Sequence, residues 1–299
     1  MNESPSDSFR AYRVRPAAIF DVSGADRVAF LQGQLTQDVR RAEPGQVLPA
    51  AGLTPKGKLL FVARLIGMPD RLRLLLPASS RERVLAHLTK YAVFQKVAIE
   101  DRSADFARIG IVGPPLSSSA VAGGSLALPG EGEFSGELLV PAAELEAAAA
   151  RLASAGAFSL DDAAAEILRV EAGRPRFGQD ADESHLPDEV GLSDAISTTK
   201  GCYVGQEIVA RLRTYGRVNR RLVGFRFPDA ALAAGTVLKR PGEPDGGKIE
   251  IGRVTSSVVS PRRGAIGLGW AFREVAPGER LVSTEAPGSS AIPSALPFS

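Results

Sequence analysis

The sequence predicts mixed strands and helices, followed by a separate small β-barrel or sandwich. Three observations predict it. Segments of strand character are interspersed with helical periodicities up to about residue 215. From about 218 the texture changes to short β-like pieces, "RRLVGFRF", "TVLKRPGE", "KIEIGRVTSSVVS", "GAIGLGWAF" and "RLVST", with Gly and Pro between them. The chain has 299 residues, 44% of them hydrophobic, which is enough for two or three domains with a sizeable core.

The elements follow in order. "AAIFDVSG" (17–24) reads as a strand ending in a turn, and Ser23 with Asp26 has the form of a capping box. Val28, Leu31, Leu35 and Val39 then share one helical face. "VLPAAGLT" and "KLLFVARLI" read as strands joined by the "PKG" turn, and "RLRLLL" as a third. Ser79 and Glu82 repeat the capping pattern ahead of a stripe of Val84, Leu85, Leu88 and Tyr91. "KVAIEDRS" and "FARIGIVG" read as strands, which the 47–76 strands are expected to pair with. The Pro-, Gly- and Ser-rich segment 114–133 reads as a mobile loop. "GELLVP" is a short strand; 142–156 and 159–173 are helices stopped by Gly156 and Gly173. Residues 174–203 read as an extended loop, and the last dozen as a frayed tail.

Composition narrows the function. The 36 basic and 34 acidic residues give a net charge of +2, so any polyanion site must be local and direct nucleic-acid binding is disfavoured. One Cys excludes an intramolecular disulfide and a single-chain CxxC metal site. The opening "MNESPSDSFR" lacks an apolar signal core, and no window is apolar enough for a membrane span, so a cytoplasmic protein is expected.

That one cysteine stands in "KGCYVGQE", framed by Gly201 and Gly205 and followed by the helix-permissive "VGQEIVARLR". A thiol beside Lys200 at a helix start is placed to favour thiolate. The competing reading makes Cys202 a small buried hydrophobe and the glycines a turn. A cysteine hydrolase would need a histidine base; His185 lies close in sequence, His87 reads as a surface or half-buried helix residue, and no oxyanion motif accompanies either. The run "RLRTYGRVNRRLVGFR" (211–226) holds six arginines and no acid. It reads as a solvated face, or as an anion site for a carboxylate tail, a phosphate or an RNA backbone. Glu171 ends an apolar helix and shares a face with Ile167 and Leu168, so its carboxylate needs donors. Arg169, Arg174 or Arg176 could supply them, as could the N–H edge of a pterin or guanine.

"LQGQLTQDV" (31–39), "LRVEAGRPRFGQD" (168–180), "LPDEVGLSDAIS" (186–197) and "KGCYVGQEIVAR" (200–211) stand in the order seen in the YgfZ family of folate-binding proteins. The chain resembles that family from roughly 15 to 280. It is similar through it to the aminomethyltransferase (T-protein) of glycine cleavage and to mitochondrial iron–sulfur assembly factors. The resemblance implies an α+β fold of three domains, a cloverleaf with a central folate-binding hole. It implies a first α+β domain from 1–46 and 107–215, a second from 47–106, a barrel from 216–290 and a tail from 291–299. It implies tetrahydrofolate or a one-carbon derivative as cofactor, with Glu171 on the pterin. Lys200, Tyr203, Gln206, Glu207, Arg217 and Arg221 are further cofactor-binding candidates. Cys202 is the catalytic candidate, and no metal site is expected. Implied partners are iron–sulfur assembly proteins or client iron–sulfur enzymes, including those of tRNA modification; the alternative is a folate-dependent one-carbon transferase. One departure stands out: aminomethyltransferases carry an acidic pair where this chain has Phe61 and Val62.

Overall fold

In the computed structural model, which describes residues 10–114, 124–242, 250–286 and 288–298, the chain divides into two units. The first combines Met1–Asp161 with Asp194–Ile208, the second Asp162–Ser193 with Val209–Ser299. Among the described residues, no helix is long and apolar enough to cross a membrane. Residues 1–9, on which the expected absence of a signal segment rests, lie outside the described residues, as do 115–123 of the expected mobile loop.

The first unit holds β1 (Ala11–Arg15), β2 (Ala17–Ser23), α1 (Arg27–Gln34), β3 (Val47–Leu53), β4 (Leu59–Gly67), β5 (Arg71–Pro77) and α2 (Arg81–Ala92). It continues with β6 (Ala98–Asp101), β7 (Phe106–Val112), β8 (Leu126–Pro129), β9 (Gly136–Pro141), α3 (Leu145–Ser154) and β10 (Phe158–Ser159). They form two five-stranded sheets, ordered β10-β1-β7-β9-β8 and β3-β4-β5-β2-β6. The expected direct pairing of 47–76 with 95–112 is corrected here, because β2 lies between β5 and β6 and β7 belongs to the other sheet. Ala18 through Val22 are buried on both faces, and such a strand belongs inside a sheet. The same pairing sets β2 in one sheet with 47–101, so no sheet boundary falls at 46/47. Buried Asp21 is matched across the strands by Arg73, whose Nε and Nη2 donate to its two oxygens at 2.7 and 2.8 Å.

The expected face of Leu31, Leu35 and Val39 does reach the core beside Phe20, Phe61 and Leu74. Yet α1 stops at Gln34 and Leu35 turns to extended backbone. Neither expected capping box forms: Asp26 precedes α1 and Ser80 precedes α2, without a side-chain cap. Val84 and Leu88 of the α2 stripe are buried, but Tyr91 is exposed.

The second unit holds α4 (Asp162–Glu171), α5 (Gln206–Tyr215, entered from the first unit), β11 (Arg220–Arg226), β12 (Val237–Lys239), β13 (Gly252–Ser260), β14 (Gly264–Phe272), β15 (Leu281–Ser283) and β16 (Ser290–Ser294). The six strands close a barrel in the order β11-β14-β13-β12-β15-β16. Inward residues fill it, Phe225, Leu238, Val254, Leu281 and Ala291 among them. The expected frayed tail is corrected: β16 pairs with β11 and β15, and Phe298 is buried with Val170, Ile266 and Leu268. Its Ala- and Pro-rich composition hid a strand in which polar Ser290 is as buried as Ala291, so no polar–apolar alternation marks it.

Candidate functional site

The carbonyls at the end of a helix lack intrahelical partners, and here a lysine from far along the chain takes them. Lys200 Nζ donates to Gln32 O at 2.7 Å, Leu35 O at 2.5 Å and Gln37 O at 3.0 Å. An ammonium has three donors, so all are used. A cation at a helix C-terminus is also favoured by the macrodipole. Burial pushes the Lys200 ammonium down to about 8, with Asp38 acting the other way. Its Nζ lies 4.9 Å from the centre of the Tyr203 ring.

The receiving segment is itself tied down. Asp38 takes Arg40 Nε at 2.9 Å and Nη2 at 3.0 Å, and Gln32 Nε2 at 2.9 Å. The Arg40 hydrogen bonds, then Gln32, hold the Asp38 carboxyl at about 2, against its burial. Gln32 Oε1 accepts Val39 N–H at 2.7 Å. Thr36 Oγ donates to Ala195 O at 2.6 Å, and Gln37 Nε2 to Asp194 O at 3.0 Å. Val204 N–H donates to Gly33 O at 3.2 Å. Residues 32–40 thus form a bed on which 194–204 is laid. "LQGQLTQDV" carried part of the family resemblance, but the roles of Gln32, Thr36 and Asp38 had no periodic signal to reveal them.

Cys202 is exposed on this loop, so the buried-hydrophobe reading is corrected. Of the two features expected to favour a thiolate, α5 begins only at Gln206 and the Lys200 donors are committed to carbonyls. Gly205, with φ of 81°, explains one half of the glycine frame. A Cβ there would stand 2.5 Å from Thr54 O. Gly57 in the β3–β4 turn has φ of 71°, and its Cβ would meet Ile208 at 2.9 Å. Gly201 has open space around it. Gln206 Oε1 accepts Tyr203 N–H at 3.1 Å, and Glu207 is exposed. Phe61 is in the core and Val62 half-buried, so this stretch of β4 offers no carboxylate.

Glu171, in the second unit, is 8% exposed. Ser260 Oγ donates to its Oε1 and Arg262 Nη2 to its Oε2, each at 2.5 Å. The donors come from the end of β13 and the turn after it, not from the neighbouring arginines. Arg169 is taken by Glu166 and Asp180, and Arg176 by Glu166. Asp180 also accepts Thr255 Oγ at 2.5 Å and Ser256 Oγ at 2.6 Å, which fixes the "GRPRFGQD" loop to β13. Ser260 and Arg262 lie some ninety positions from Glu171 in the chain, beyond any local signal. In the arginine run, Arg213 pairs with Asp188, Arg220 with Glu189, and Arg221 Nη2 donates to Val275 O at 3.1 Å. Arg217 is exposed. His185, the candidate base, is buried in this unit with Nδ1 2.8 Å from Asp182 Oδ1. His87 is half-buried, its Nε2 3.0 Å from Gln34 Oε1.

No protein-family model matches the chain. An uncharacterized protein of Haemophilus influenzae is 32% identical over 70% of each chain. An aminomethyltransferase of Rubrobacter xylanophilus is 32% identical over 93% of this chain and 82% of its own. The tRNA-modifying protein YgfZ of Yersinia pestis is 30% identical over 69% of this chain and 67% of its own. Among solved structures, aminomethyltransferase T of the glycine cleavage system from Bartonella henselae superposes with a TM-score of 0.85 at 20% identity, over 98% of this chain and 87% of its own. With its α+β elements and closed C-terminal barrel, the chain has the aminomethyltransferase fold and belongs to the superfamily that joins the YgfZ-type and GcvT-like proteins.

Proposed function

We propose that this chain is a tetrahydrofolate-binding accessory protein that supports assembly or repair of iron–sulfur enzymes, those of tRNA modification included, with Cys202 as its reacting group. One observation carries the reading: the only thiol is exposed on a loop held by Lys200 and Gly205. Fixing the backbone around an exposed nucleophile has a chemical use; packing needs no such loop. The iron–sulfur cluster, or sulfur bound for it, is the substrate of this chemistry.

The residues present are compatible with folate. A carboxylate has about four lone-pair positions, and the two bonds at Glu171 leave one or more on each oxygen for the pterin N–H edge. Exposed Arg217 suits the carboxylates of the glutamate tail. Lys200 has no donor left for the ligand, whereas Arg221 gives one of its five donors to Val275 O and stays a candidate for an anionic part of it. Tyr203 belongs to the loop that presents Cys202, and Gln206 and Glu207 to the first turn of α5 that follows it. Bound folate would supply a one-carbon carrier. Similarity to the Rubrobacter aminomethyltransferase favours one-carbon transfer as a second reading, but Phe61 and Val62 leave that reaction without its acids.

Cys202→Ser tests the proposal. It is expected to leave stability within about 1 kcal/mol, since an exposed thiol buries little apolar area. Iron–sulfur enzyme output in cells lacking the protein is expected to fall sharply. Full complementation by this variant would overturn the role of Cys202.

A further inference from the structure

Three of the seven large hydrophobic side chains exposed among the described residues fall within four positions: Tyr91 at 43%, Val93 at 70% and Phe94 at 95%. Scattered singly, such residues need no explanation; clustered, they mark an interaction site. They occupy the end of α2 and the turn that leads to β6.

The turn is built to hold them out. Gln95 N–H donates to Ala92 O at 2.9 Å. Lys96 N–H donates to Asp26 Oδ2 at 2.7 Å, and Lys96 O accepts Asp26 N–H at 3.3 Å. Gly24 lets this backbone come close, since a Cβ there would stand 2.2 Å from Lys96 O. Tyr91 is steadied from within: its ring centre lies 4.9 Å from that of His87, which is bonded to Gln34. A phenylalanine on a turn pinned at both ends loses little entropy when it is covered, as an interface anchor should.

Two lysines flank the anchor. Lys96 is exposed, and the Lys90 ammonium lies 5.7 Å from the centre of the Tyr91 ring. Asp26, which meets this turn, has its carboxylate turned to the Lys96 backbone. We infer that Val93 and Phe94 insert into an apolar pocket of a partner protein, and that carboxylates on the pocket rim meet Lys90 and Lys96. The chemistry disfavours the other occupants. A second copy in a two-fold contact would bring lysine against lysine. A lipid surface needs a longer amphipathic face and more cationic charge than two lysines give. Single-stranded nucleic acid needs a groove of positive charge with a series of stacking platforms.

The test places a benzoylphenylalanine photocrosslinker at position 94 of the full chain in cells and sequences the crosslinked peptides. One protein adduct is expected, joined through a peptide that combines apolar residues with Asp or Glu. The double variant K90E/K96E should lower its yield about tenfold or more, because charge reversal at an interface rim acts on both encounter and fit. F94D should keep the melting temperature of the unaltered protein, as expected for a side chain 95% exposed, and should fail to complement cells lacking the protein. An adduct of twice the chain's mass, a crosslink to RNA or lipid, a yield indifferent to K90E/K96E, or complementation by F94D would each overturn the inference.

Discussion

Lys200 in the first unit and Glu171 in the second are both charged, both withdrawn from solvent and both in motif stretches, yet their surroundings differ in kind. Lys200 spends its three donors on three carbonyls of its own chain. Glu171 receives two donors and keeps acceptor positions. A saturated group holds structure; a group with spare valence can hold a ligand. A motif residue is therefore assigned by what remains unspent on it.

The largest effect that separates the two is expected from Lys200→Met. Hydrogen bonds to a charged group contribute about 1.5–3 kcal/mol each, and water will reclaim part of what is lost at a half-buried site, so a stability loss of about 3 kcal/mol is expected in urea denaturation. Folate affinity should hold while Cys202 alkylation changes in rate. Weakened folate binding at unchanged stability would instead place Lys200 on the ligand.

Glu171→Gln tests the other side. Losing one charged hydrogen bond to the pterin should weaken folate binding by roughly 1.5–3 kcal/mol in calorimetry. Arg262, already largely exposed, can return to water, so the stability loss should be the smaller. Unchanged affinity would reduce Glu171 to a tie between α4 and the barrel.

The smallest effect concerns the bed beneath Lys200. The folded state holds the Asp38 carboxyl at about 2, below its ordinary 3.8. A depressed carboxyl adds stability above its unfolded pKa and loses it as pH falls through the folded one. Melting temperature should drop between pH 4 and pH 2, and Asp38→Asn should remove part of that drop. Identical acid profiles would show that the Arg40 and Gln32 bonds have no net worth.

Local chemistry made much of this legible. Strand texture near 218 announced the barrel, Gly156 and Gly173 ended their helices with φ of 84° and 68°, and the order of four stretches pointed to the family. What was hidden is long-range. No periodicity shows that β2 slips between β5 and β6, or that Lys200 closes α1 across more than 160 positions. Residues that serve a core without being helical, such as Leu35 and Val39, also mimic a longer helix than α1. Among the candidate residues, the motif stretches singled out Cys202 in the first unit and Glu171 in the second but not Ser260 or Arg262, whose turn follows a strand of ordinary alternation.

The barrel's order of closure bears on how it is made. β11 waits between β14 and an empty edge until β16, the last strand in sequence, arrives to join it to β15. During synthesis, everything through β15 can leave the ribosome while two strand edges still offer unpaired N–H and C=O groups to any neighbouring chain. The nascent barrel is exposed to aggregation for as long as its final segment is delayed. A premature stop before Ser290 would make that interval permanent.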